Sequence, residues 1–387
     1  MLLRRTLLVL VVGGLLVLAG GPAHLWAQQA ENGASPATAG RADAERPDEL
    51  PPDEVAPAGP VRGVVPLPVF GVSPEDGVLL GAAALFFRVP EPGAPTDTIS
   101  TNAFYGTRGT FSLNVGTDHR MGDRGLNLLT FHRASIFSSD FYGIGMDAND
   151  AETFETLELR ARGAVLFPVV PRVTVGPSYV VNYYDTRSTE AGGALASGAV
   201  RGADGTFAVG VGARSIFDSR DSNVYPTEGA YIDLITHGFP TFLGSSDTFW
   251  LGALDTRYFV SPWPWLTLGG QAVLELSAGD VPFQFLPSIG GGDLMRGVLD
   301  GRYRDAVSLA AQIEARFPIF WRFGGTIFAG AGRVAPSLDQ LALDNLATAA
   351  GVGVRFAVNP EQRLNVRFDL AHDGEELKVY VNFQEAF

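Results

Sequence analysis

From residue 64 to the end, the chain alternates apolar and polar residues in segments of roughly ten, separated by turn-forming residues. Leu157, Leu159, Ala161, Gly163, Val165 and Phe167 fall on one face of an extended segment, with Glu158, Arg160 and Arg162 on the other. Val307, Leu309, Ala311, Ile313, Ala315 and Phe317 oppose Ser308, Gln312, Glu314 and Arg316 in the same way. Leu364, Val366, Phe368 and Leu370 oppose Asn365, Arg367 and Asp369. Leu377, Val379, Val381, Phe383 and Phe387 oppose Lys378, Tyr380, Asn382 and Gln384. A period of two belongs to a strand with unlike faces, because successive side chains leave the backbone on opposite sides.

The pattern predicts strands over 64–71, 77–88, 97–107, 109–119, 124–136, 153–167, 171–185 and 204–215. It continues over 228–238, 247–259, 264–277, 306–317, 322–332, 348–358, 362–372 and 376–387, about sixteen strands in all. The long connections (137–152, 186–203 and 278–305) follow the fifth, seventh and eleventh strands, which places them all at one end of an antiparallel array. A soluble sandwich would show the same alternation. Three features favour a membrane barrel instead. The polar faces carry closely spaced opposite charges, as in a wet lumen. Aromatic residues (Phe70, Phe86, Phe87, Tyr142, Tyr258, Phe259, Trp263, Trp265, Phe317, Trp321) sit at segment ends, where interface girdles form. The last alternating segment runs out at Phe387. The expected fold is all-β, a transmembrane antiparallel β-barrel.

The remaining residues set the compartment. Arg4 and Arg5 precede an apolar run from Leu7 to Ala19, and small residues lead to Ala27, so 1–27 reads as a cleavable secretory signal peptide. A retained anchor is the alternative, but the run is short for a membrane span. Residues 28–63 read as a disordered periplasmic linker, in which Pro36, Pro47, Pro51, Pro52, Pro57 and Pro60 stand among Ala, Gly and acids. Residues 64–387 form the barrel, and the expected location is the bacterial outer membrane. The chain is 46% hydrophobic, yet no later apolar run is long enough for a membrane helix. A net charge of −14 argues against a nucleic-acid partner. With no cysteine, disulfides, a lipoprotein anchor and thiolate metal sites are excluded.

The connection after the eleventh strand reads Leu286-Pro287-Ser288-Ile289-Gly290-Gly291-Gly292-Asp293-Leu294-Met295-Arg296-Gly297-Val298, then Asp300-Gly301-Arg302-Tyr303-Arg304-Asp305. This resembles the sixth outer loop of the outer-membrane assembly superfamily typified by BamA and TamA, the bacterial surface antigen family. Met295, Arg296, Gly297 and Val298 match that loop's Val-Arg-Gly-Phe motif. The segment 312–318 is similar to the family's twelfth strand, 217–229 to its turn between strands eight and nine, and 73–77 to the turn that opens many short members. The C-terminal stretch, with Tyr380, Phe383 and Phe387, resembles the signal by which barrels are recognised for insertion.

The resemblance implies that the loop folds into the lumen and that its arginine pairs with wall carboxylates. Glu314, on the lumenal parity of strand twelve, is the expected partner of Arg296. The family's second acid, on strand thirteen in an aromatic-x-Asp-x-Gly pattern, is absent: Phe328-Ala329-Gly330-Ala331-Gly332 has Gly330 in its place. The 28–63 stretch is also too short and polar for the periplasmic POTRA domains that receive substrates in the family. A barrel-only member is expected.

Catalytic chemistry is not in evidence. No Gly-x-Ser-x-Gly elbow occurs, and the five histidines (His24, His119, His132, His237, His372) show no metal-binding spacing. Asp218 and Asp221 read as a turn with a surface ion pair to Arg220 rather than a cation site. Gly290, Gly291 and Gly292 lack the ending of a phosphate loop and read as flexible. The expectation is no enzyme, cofactor or metal. The family implies a role in outer-membrane protein or lipid assembly or translocation, with a frayed first–last strand seam as the working part. The alternative is a passive pore or structural barrel; an outer-membrane receptor or enzyme rests only on the long loops. Expected partners are outer-membrane lipid, the machinery that inserts the barrel itself, and a separate periplasmic protein.

Overall fold

In a computed structural model, which describes residues 61–89, 97–121, 125–147, 151–223, 225–359 and 364–387, the alternating segments close into one barrel of sixteen antiparallel strands. The first half comprises β1 (Val61–Ser73), β2 (Gly77–Val89), β3 (Asp97–Gly106), β4 (Phe111–Met121), β5 (Leu126–Phe141), β6 (Glu152–Val170), β7 (Val173–Thr189) and β8 (Gly205–Asp218). The second comprises β9 (Gly229–Phe239), β10 (Phe249–Trp263), β11 (Leu266–Gly279), β12 (Val307–Phe320), β13 (Phe323–Ala335), β14 (Ala347–Asn359), β15 (Leu364–His372) and β16 (Leu377–Phe383). Every strand of the sequence reading is present. The signal peptide and the linker up to residue 60 lie outside the described residues. Residues 61–63, assigned to the linker, instead begin β1. Among the described residues no helix is long and apolar enough to cross a membrane.

The burial pattern is the inverse of a soluble protein's. Along β9, Tyr231, Asp233, Ile235, His237 and Phe239 turn inward while Ile232 and Leu234 are exposed. Glu158, Asp255 and Asp369 are fully buried, whereas Leu80, Ile313 and Leu377 are more than 60% exposed. Apolar side chains facing out and charges facing in are what a lipid-embedded barrel requires, since hydrocarbon cannot solvate an ion. Trp263 and Trp265, stacked at 5.8 Å, and Trp321 stand exposed around the short turns where β10 and β12 end. Two of the expected girdle residues, Phe87 and Phe259, point inward and are buried. Each follows an outward aromatic, Phe86 and Tyr258, and adjacent residues cannot share a face. Tyr142 lies beyond β5, under the Arg302 guanidinium, and is not part of a girdle.

Closure is uneven around the ring. Each of the thirteen residues of β1 pairs with β2, and β15 pairs with β16 from Val366–Phe383 to His372–Leu377. Between β1 and β16 a single registered pair, Val72 with Val381, completes the barrel. The last strand is also shorter than the expected 376–387. It stops at Phe383 because Gln384 adopts a left-handed conformation (φ 64°) and its N–H bonds the Asn365 carbonyl, turning the tail into the lumen.

Candidate functional site

The 280–306 connection between β11 and β12 carries the sequence motif, and it folds into the barrel. Phe283–Phe285 forms one 3-10 turn at its entrance. Ser288 and Ile289 then pair with Arg304 and Tyr303, so the residues between them form a hairpin with a fixed stem. Gly290, read from sequence as a flexible residue, is there for space and conformation: at φ 122°, a side chain would put Cβ 2.1 Å from the Leu299 carbonyl oxygen.

The entrance also closes the lumen toward the long-loop end. Phe283 packs edge-on against Phe141 and Phe154 at 5.1 and 5.5 Å, and Phe285 meets Phe249, which stacks on Phe239 at 4.3 Å. Leu195 and Ala203, from the β7–β8 connection, complete this apolar stopper. Its members come from strand ends and connections to which the alternation assigns no face, and nothing in the spacing says they meet.

At the hairpin tip the motif residues come together. Arg296 is fully buried; its Nη2 donates to Glu314 Oε2 and its Nη1 to Asp369 Oδ2 at 2.8 Å. The guanidinium carbon sits 3.6 Å from the centre of the Phe328 ring, adding a cation–π contact. Met295 and Val298 join a buried apolar cluster with Val273, Ile289, Leu294 and Ala310. Gly297 lies so close to the wall that a Cβ would be 3.0 Å from Ala349 Cβ and 3.3 Å from Ala371 Cβ.

The acid missing from strand thirteen is replaced rather than lost. Met295 occupies the space over β13, where a Cβ at Gly330 would lie 3.3 Å from its Cγ and one at Gly332 only 2.6 Å from its Sδ. The second carboxylate comes from Asp369, on β15. Sequence reading put Asp369 on the polar face of its strand but gave no sign that it reaches the loop.

Around this pair lies a wider charged network. Arg316 Nε donates to Glu314 Oε1 at 2.7 Å, and Arg355 bonds both Asp369 and Glu385, the latter at 2.6 Å. Arg367 pairs with Asp293 in the loop and donates to the Gly292 carbonyl at 2.9 Å. Four guanidiniums (Arg296, Arg316, Arg355, Arg367) thus meet four carboxylates (Glu314, Asp369, Glu385, Asp293), which balances the charge locally. Balance matters among buried groups, where an uncompensated charge costs about 3–5 kcal/mol.

The three C-terminal residues singled out from sequence occupy different places. Tyr380 faces the lumen, and its hydroxyl accepts from the Gly297 N–H at 3.1 Å. Phe383 meets Phe70 of β1 edge-on at 4.9 Å across the seam. Phe387, expected on the apolar strand face, is buried in the lumen against Phe259, and its carbonyl oxygen accepts from Arg316 Nη2 at 2.8 Å. The Asp218–Arg220 pair, expected at the surface, is partly enclosed: Arg220 is nearly buried and stacks 4.4 Å over the Tyr231 ring. Asp221 accepts from the Thr227 N–H and hydroxyl.

Residues 96–384 match the family model described as the Omp85 superfamily domain. Among solved structures, BamA from Haemophilus ducreyi lacking POTRA domains 1–3 is similar with a TM-score of 0.57 at 11% identity, over 84% of this chain and 70% of that one. CdiB from Escherichia coli (TM-score 0.53, 11% identity, 85% of this chain) and CdiB from Acinetobacter baumannii (0.51, 9%, 84%) are similar too. This chain spans 63% and 59% of those two structures, respectively. At such identities the likeness is one of fold. No curated protein sequence matches the chain.

Proposed function

The chain belongs to the Omp85 superfamily, and from that premise we propose that it is an outer-membrane assembly or translocation barrel that works through its seam, without catalytic chemistry of its own. The observation that carries this reading is the closure of the whole barrel by one registered pair, Val72 with Val381. Unpaired strand edges hold free backbone donors and acceptors, and these can template an incoming strand. β1 also contains Pro66 and Pro68, which lack the N–H and fit a strand only where that side is left unpaired. Opening such a seam breaks few bonds, whereas opening any other strand pair breaks a full ladder.

The plugged lumen argues against a standing pore, the alternative reading. Its upper part is filled by the aromatic stopper and its middle by the loop hairpin around Arg296. Passage sideways, between β1 and β16, leaves both in place. The exposed apolar strand faces meet outer-membrane lipid, and clients, whether protein or lipid, would be delivered by a separate periplasmic partner.

The test is reconstitution. Lipid vesicles containing the purified protein should speed the folding of a small unfolded outer-membrane barrel well beyond protein-free vesicles. Equal rates in the two would remove the assembly reading.

A further inference from the structure

The seam is crossed on its inner side by the lumenal loop. On one side the loop holds the terminal strands: Gly297 N–H donates to Tyr380 Oη of β16 at 3.1 Å, and Arg367 of β15 holds Asp293 and the Gly292 carbonyl. A Cβ at Gly292 would sit 3.3 Å from the Tyr380 ring, so backbone and ring are in close contact. On the other side, three residues along, Asp300 N–H donates to Glu75 Oε1 at 3.2 Å. Glu75 belongs to the 74–76 turn joining β1 to β2. The run 297–300 therefore connects strands whose backbones the barrel wall joins by one registered pair, Val72 with Val381, beside the Phe70–Phe383 ring contact.

The connection is stiff at both ends. The hairpin is fixed by its two-residue stem and by Arg296, locked between Glu314 and Asp369. The β1–β2 turn is fixed by Asp76, which accepts from Thr110 Oγ1 at 2.7 Å and from the Ser73 hydroxyl. Glu75 itself is enclosed. Burial, and then the neighbouring Asp300 carboxylate, push its carboxyl up to about 7. The other titratable groups that face it are Asp76 of its own turn and the Tyr380 and Tyr142 phenols.

We propose that the loop is a strap that holds the seam shut, anchored by Glu75 on the β1 side and by Tyr380 on the β16 side. Seam opening then requires one anchor to let go. The strap bears on the seam used in the proposed function, but its test needs no client and no assembly activity, so either idea can fail alone.

Spin labels at Arg108→Cys and Glu376→Cys provide the readout. Both positions are exposed, in the β3–β4 and β15–β16 connections on opposite sides of the seam, and the chain has no competing cysteine. In phosphatidylcholine vesicles, pulsed electron paramagnetic resonance should give one narrow distance for the labelled parent. Glu75→Ala, and independently the milder Tyr380→Phe, should each raise a longer-distance population by about tenfold, the loss expected for one buried hydrogen bond. Arg187→Ala, which breaks an exposed ion pair with Asp185 on β7, away from the strap, should leave the distance unchanged. An unaltered distance distribution in folded Tyr380→Phe would overturn the strap, whatever Glu75→Ala does.

Discussion

Arg296 reaches Asp369 across 73 positions of sequence and from the loop to β15, with Nη1 2.8 Å from Oδ2. That contact ties the lumenal loop to the strand next to the last one, where the barrel is weakest. The same guanidinium bonds Glu314 on β12, so one side chain spans a wall of four strands.

Removing Asp369 should therefore be worse than removing Arg296. Asp369 faces Arg296, Arg355 and Arg367, so Asp369→Ala leaves four guanidiniums against three carboxylates, with Glu314 the carboxylate that Arg296 and Arg355 still share, a loss of about 3–5 kcal/mol. Arg296→Ala leaves Glu314 with Arg316 and Asp369 with Arg355, and should cost less. Urea unfolding of the reconstituted barrel gives both values. A double variant that costs much less than the sum of the two would mark the direct coupling.

Restoring the acid on strand thirteen should harm the protein. In Gly330→Asp the new Cβ meets Met295 Cγ at 3.3 Å and the Ala311 carbonyl at 3.1 Å, an overpacking cost of about 1–3 kcal/mol. Adding Met295→Ala should recover part of the loss, because it empties the space the acid needs. If Gly330→Asp alone is as stable as the parent, Met295 is not what fills that space.

The strap should respond to pH through Glu75, faced by Asp300, Asp76 and the Tyr142 and Tyr380 phenols. Its folded value of about 7 lies above its ordinary value of 4.5. The contribution is therefore complete below about 4.5 and is lost as pH rises through about 7. Across pH 6 to 8 the longer-distance population should grow in the labelled parent. In Glu75→Gln, which keeps an acceptor and cannot ionise, it should stay flat.

The outward face should reject charge. Ile313, in the middle of β12, is 67% exposed among apolar neighbours. Ile313→Arg should cost about 2–4 kcal/mol in a bilayer. A neutral result in unfolding measurements would mean that this face does not meet lipid.

Much of this architecture was legible because a strand's period of two leaves little freedom. Sixteen segments, their inward faces and the lumenal side of Glu314 all follow from alternation, and the motif names Arg296. What escaped was set by contacts between distant segments or by single backbone angles. Phe87 and Phe259 face inward because adjacent residues of a strand point to opposite sides, so a place at a segment end does not by itself put both members of an aromatic pair in a girdle. Alternation puts Asp369 on the polar face of its strand, but its meeting with Arg296 depends on how deep the loop reaches. The inward tail follows from the left-handed Gln384, which the alternation of 376–387 conceals. The aromatic stopper joins two connections and four strands that share no local pattern.

The central claim, that work is done through the seam and not through the lumen, can be tested by locking the seam. Val72→Cys with Val381→Cys places two thiols on the one registered pair, in a chain with no other cysteine. Vesicles holding this variant should speed the folding of a small outer-membrane barrel when reduced and lose that ability when oxidised. Equal acceleration with the disulfide closed would contradict the account.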